Sequence, residues 1–300
     1  MGENKQLKGI ISLLDDTDVI VVKAINNHLL SKGVSIVEEL EHCRRKERSA
    51  KLKLLIAQKI KFLTSKFALL DLRKIAQSKE PELLDGLIAI SQLIGVKIQK
   101  DKFVSSLFSM SSQLQIQFNG IHTHKEKVDL FNFYFFKKMA FRSDQKLEFN
   151  KMNMLLNGVL EIRLGHPIVI SILYFVFARI VGLPIYPLCF KGGLIPVYLD
   201  GNTVLYYLDL FRDGEIFQEN QLIAFLNSQK SIDDPYKMVF EVREDKVLLV
   251  IYLEALAQMI STVYLKTDKH QIDEALNYFG DERFLTFIWD DNEEEDSDEL

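Results

Sequence analysis

Cysteine is nearly absent from this chain: Cys43 and Cys189 are the only two among its 300 residues. They stand far apart and in no ligand-like spacing, so neither a disulfide framework nor a cysteine-held metal is expected. Two lone thiols fit a reduced, cytoplasmic compartment. Long apolar runs are missing too. None reaches the roughly 20 residues a bilayer span needs, and the opening MGENKQLKG lacks a basic-then-apolar leader pattern. No membrane association is expected. An excess of positive charge is also lacking, but the net charge of −5 is unevenly spread. The last eleven residues, DDNEEEDSDEL, hold eight acids, which leaves about +3 on the rest of the chain. Such a run reads as a disordered, solvating tail over 290–300.

What the chain does have is 48% hydrophobic and 26% charged residues, enough for a sizeable globular core. Its most apolar helical stretch is Pro167–Val181, PIVISILYFVFARIV, where only Ser171 and Arg179 are plainly polar. A helix apolar on nearly every face must be buried. Pro167 suits the first helical turn, and Gly182-Leu183-Pro184 stops the helix. This stretch is expected to be the central buried helix.

Residues 5–140 carry apolar residues at three- and four-residue spacings and read as successive helices. Asp18 is placed to cap the second, Gly33 to end it in a left-handed conformation, and Pro81 to start a later one. The layout of Asp18, Val22, Leu29, Gly33, Ile36 and Leu40 resembles a single HEAT-like helical pair. Nine Lys/Arg fall between Arg44 and Lys66 against one acid, Glu47. With Leu52, Leu55, Ile56, Ile60 and Leu63 facing inward, these basic residues read as a solvated helix surface, and a nucleic-acid partner is not expected. His122 and His124 are two apart, wrong for one helix face, and no further ligands follow. No metal or cofactor is expected.

The aromatic run VDLFNFYFFKKMAFR from Val128 reads as packing for the central helix. After Gly182, the runs PIYPLCFKGG, LIPVYLDG and NTVLYYLDLF read as consecutive antiparallel strands, with Asp200-Gly201 as a hairpin turn. Helices return over 219–230, 244–267 and 270–279. The fold class is α+β.

The run NMLLNGVLEIRLGHPIVISILYFVFARIVGLPIY resembles the bacterial transglutaminase-like family that includes the SirB-type regulators. Asn153, Leu156, Val159, Leu160, Arg163, Gly165, Pro167, Ile168, Tyr174, Ala178, Gly182, Leu183 and Pro184 match that pattern in order, and YYLDLFRDGEIF resembles its later strand and turn. The resemblance implies a papain-like core, in which a helix-terminal Cys attacks an acyl carbon, a strand His takes its proton, and an Asp orients the His. Carried onto this chain, the Cys position is Pro167, the His position is Gly193 and the Asp is Asp209. Pro167 and Gly193 supply neither nucleophile nor base. His166, Ser171 and Cys189 are the remaining candidates, with bland readings as a stray histidine, a back-bonded helix serine and a buried thiol. Asp209 reads as a carboxylate satisfied by backbone donors near the central helix terminus.

The expected organisation is a helical layer at 1–118, the transglutaminase-like core at 119–228, C-terminal helices at 229–289, and the tail. The expected function is a non-catalytic, protein-binding or regulatory scaffold. The alternative is an acyl-transfer or hydrolytic enzyme using relocated residues in the same cleft.

Overall fold

In the computed structural model, residues 7, 9–96, 98–120, 123–144, 150–190, 193–228, 241–242, 246–261 and 266–285 are described. The acidic tail, Trp289, His122 and Gly192 lie outside them. Helix α1 (Val19–Ser31) starts at Asp18, whose carboxylate accepts from the Ile20 amide at 2.8 Å, and ends at Gly33, with φ of +75°. Both features follow the expectation. Helices α2 (Ser35–Lys46) and α3 (Ala50–Gln77) come next, the latter capped by the Ser49 hydroxyl. At about 1.5 Å per residue, α3 spans roughly 42 Å, long enough to serve two cores. Its first half sends Ile56, Ile60 and Leu63 into an N-terminal cluster with Leu29, Ile36 and Leu40. Its second half sends Ala68, Leu69 and Leu72 into the main core. Helix α4 (Leu83–Leu93) starts later than Pro81 suggests, because Glu82 is its N-cap and the proline stands before it. Helix α5 (Lys100–Phe118) closes this part.

The aromatic run begins as α6 (His124–Asn132), held by a reciprocal cap between Thr123 and Glu126, and continues as a π-helical turn over Phe133–Lys138. The widened turn helps bring Phe131 and Phe135 onto the central helix. Phe131 meets the Tyr174 ring at 4.7 Å and Phe135 meets it at 5.1 Å, both edge-on. A short parallel pair, β1 (Arg142–Ser143) with β2 (Leu164–Gly165), brackets α7 (Lys151–Met154) and α8 (Leu156–Ile162). The central helix is α9 (Pro167–Ile180), with Pro167 at its start and nine of its residues from Val169 to Ala178 buried.

Strands β3 (Ile185–Phe190), β4 (Gly193–Asp200), β5 (Thr203–Asp209), β6 (Glu215–Phe217) and β7 (Glu241–Val242) form one antiparallel sheet ordered β6-β5-β4-β3-β7. The β4–β5 turn lies at Gly201-Asn202, one residue later than expected, because Asp200 still pairs with Thr203. Gly201 takes the positive φ, +58°, that such a tight turn requires. One sheet face gives Ile185, Cys189, Tyr198 and Leu208 to the main core. The other gives Leu188 and Val197 to a smaller cluster with Leu222 of α10 (Glu219–Ser228).

Helix α11 (Lys246–Ser261) is buried almost all round. Helix α12 (Lys266–Tyr278) follows, and the part of the expected 244–267 helix between the two lies outside the described residues. Helix α12 sends Ile272, Ala275 and Leu276 into the core, and Lys61 of α3 pairs with its Asp268 at 2.8 Å. The architecture is α+β. Among the described residues no helix is long and apolar enough to cross a membrane.

Candidate functional site

The terminus of α9 is the place where an activated nucleophile would sit. Pro167 holds the first helical position there and offers no reactive atom. The residue before it, His166, caps the helix: its Nδ1 accepts from the Ile168 amide at 3.3 Å, and its backbone N–H donates to the Asn153 carbonyl at 2.8 Å. Burial pushes its pKa down to about 4, against an opposing pull from Asp144. The ring is therefore neutral at pH 7. With Nδ1 accepting, the network assigns the proton to Nε2, so neither ring nitrogen keeps a free lone pair for base work.

Ser171 lies one turn further in and donates to the Pro167 carbonyl at 2.9 Å, the back-bonded arrangement expected of it. Cys189 is 3% exposed on the core side of β3, and both cysteines are free of disulfides. Gly193 opens β4 opposite Phe190. A Cβ there would meet the Phe190 ring at 3.4 Å, ordinary contact, so the backbone does not demand glycine.

Asp209 ends β5. The β4–β5 ladder runs from Asp200 and Thr203 to Val197 and Tyr207, so Gly193 and Asp209 both lie beyond its last pair, at one end of the sheet. The Asp209 carboxylate accepts from the Phe211 amide at 2.9 Å and stands 3.6 Å from the Arg212 Nε. This corrects the expected partner. Asp209 caps the 3₁₀ turn Leu210–Arg212 that follows it, and the acid whose charge acts on the α9 cap is Asp144. The turn after Asp209 is fixed from below. Asn132 Nδ2 donates to the Gly214 carbonyl at 2.6 Å, and the Tyr174 hydroxyl donates to Asn132 Oδ1 at 2.5 Å.

Two of the six candidate positions share a wall. Ser171 and Asp209 line a cavity of about 470 Å³ beside β4, β5, β6 and α10. Pro167, His166, Cys189 and Gly193 are not on that wall. Most of it is apolar: Pro196, Leu210, Phe211, Ile216, Phe217 and Leu222. Phe211 is 75% exposed at the rim. Sequence reasoning did not single out these apolar residues. The one available signal was an apolar Phe beside the polar turn Arg-Asp-Gly, which gives no direction for its ring.

His124 lies elsewhere, its Nδ1 3.0 Å from the Tyr198 hydroxyl and its Nε2 3.9 Å from an Asp200 oxygen. Among the described residues no group of three or more His, Cys, Asp or Glu is arranged to hold a metal ion.

No curated protein and no solved structure matches this chain. A family model does, over residues 101–249, and its description is the transglutaminase-like superfamily. The matched segment runs from the first turn of α5 into α11, taking in the aromatic run, the central helix and every strand among the described residues. Residues 101–249 are thus a domain of the transglutaminase-like superfamily.

Proposed function

We propose that this transglutaminase-like protein is non-catalytic and serves as a protein-binding or regulatory scaffold, as in the SirB-type regulators its motif resembles. The observation that carries this reading is the start of α9, where Pro167 fills the nucleophile position and the cap ring of His166 is already committed to the Ile168 amide. Acyl transfer needs a nucleophile held by a free base, and a positioned base alone contributes about 10²–10⁴-fold. The apolar cavity with the exposed Phe211 ring at its rim supports a binding role. The protein acts in the cytoplasm in this reading, supported by two cysteines of which neither is in a disulfide. Nucleic acid is not its partner, since Arg44, Lys51, Lys61 and Lys66 pair with acids of the same chain.

The competing reading is an enzyme with relocated residues. It is favoured only by Ser171 and Asp209 lining one cavity. Incorporation of a fluorescent amine into a glutaminyl peptide, and hydrolysis of that peptide, test the two together. The scaffold reading expects rates no higher than buffer for the natural chain and for Ser171→Ala. Turnover that Ser171→Ala abolishes would replace it with the enzyme reading.

A further inference from the structure

Strand β6 ends the sheet, and its residues Glu215–Phe217 are matched on one side only, by Tyr207–Asp209 of β5. The backbone groups on its other side have no partner among the described residues. An open edge of this kind is a template for another extended chain. The Asp209 cavity, of about 470 Å³, lies along it. Ile216 packs towards the main core and Phe217 towards the smaller cluster, yet both line the cavity. Successive strand residues point to opposite faces, so the cavity reaches both sides of β6, where a further strand would lie. Phe211 stands mostly exposed at its rim.

The charges around the cavity are mostly negative. Asp209 and Glu215 line it, and Glu219 stands exposed in the first turn of α10. Among the described residues lining it, Arg212 alone is cationic. Its guanidinium stands 3.6 Å from Asp209 and 3.8 Å from Glu215, longer than a hydrogen bond to either. Three carboxylates against one guanidinium favour a cationic partner. An anionic lipid would bring its head group to these acids, and a second copy of the chain would set the same acids against one another. The edge is three residues long, about 10 Å, and so matches a short segment.

We propose that the β6 edge and its cavity bind an extended segment of a partner protein, about five residues long, with apolar side chains between lysines or arginines. The segment adds to β6 as a strand and places an apolar side chain in the cavity against Phe211. Its cations lie beside Asp209, Glu215 and Glu219. The assignment rests on the protein-binding reading above and names the kind of segment bound.

Calorimetric titration of the full-length protein with the peptide Lys-Val-Leu-Val-Lys, acetylated and amidated at its ends, tests this. The basic peptide is expected to bind. Replacing both lysines by glutamates should weaken binding about tenfold at low salt. N-methylation of the three central residues removes their donors and should also weaken it about tenfold. Glu215→Lys should narrow the preference for the basic peptide over the acidic one. Phe211→Ala should weaken binding several-fold without lowering the melting temperature, because the ring is mostly exposed. No heat from the basic peptide at millimolar concentration would overturn the proposal. So would equal affinity for the acidic or the N-methylated peptide, or binding of decanoate in place of the peptide, which would make the cavity a lipid site. Any of these results, with amine incorporation still at the buffer rate, would remove this site and leave the non-catalytic reading standing.

Discussion

At the start of α9 the His166 side chain contributes to stability. Its ring is buried, caps α9 through Nδ1, and has a pKa pushed down to about 4. Above pH 6.5 the imidazole is neutral in both folded and unfolded chains, and the cap contributes fully. As pH falls from 6.5 towards 4 the unfolded chain takes the proton first, so stability is lost across that window. The loss amounts to about 3 kcal/mol at most. Urea unfolding from pH 7 to 4 should show this slope, and His166→Asn, which caps without titrating, should flatten it. An unchanged slope in the variant would show that another group titrates. A second residue-scale prediction concerns Asn132, which joins the Tyr174 hydroxyl to the Gly214 carbonyl. Asn132→Leu strands both buried groups and should cost about 2–4 kcal/mol in denaturant unfolding. Gly214→Ala should also destabilise, because φ is +79° and its Cβ would fall 2.4 Å from the Asn132 side chain. Neither role was legible in the sequence, since both rest on contacts between residues far apart in the chain. Cys189 and Ser171 were legible, because burial follows from strand neighbours and back-bonding from position within a helix.

At the scale of elements, local signals carried the reading wherever the decisive contact was local. The central helix, the Asp18 cap, the Gly33 terminus and three of the strands stood where periodicity and turn residues placed them. Elements set by long-range pairing did not show. Strands β6 and β7 are three and two residues long, too short for an alternation to declare itself. Helix α3 also explains its own basic surface: Lys61 reaches Asp268, which is 4% exposed, and Lys59 donates to Asn26 at 2.6 Å. Binding of a random DNA duplex should therefore be weak, with no steep fall as salt rises. A fluorescence titration giving a log–log salt slope of several units would contradict this. Lys61→Ala, in contrast, leaves Asp268 unpaired and should destabilise the fold by about 1–3 kcal/mol.

The whole molecule is tied together by α3, which contributes to the N-terminal cluster at one end and the main core at the other. Lys246 at the start of α11 reaches the Ala76 carbonyl near its far end. We therefore propose that the N-terminal helices form a layer on the transglutaminase-like domain, and limited proteolysis should release no folded fragment spanning 1–118. The central claim is that this domain binds and does not catalyse. Its most direct test is the reactivity of Cys189 towards a thiol-reactive acyl probe, in the natural chain and in Asp209→Asn. The account predicts that the folded protein labels no faster than the unfolded chain, and that Asp209→Asn lowers stability alone. Rapid, stoichiometric labelling of Cys189 that disappears in Asp209→Asn would contradict it.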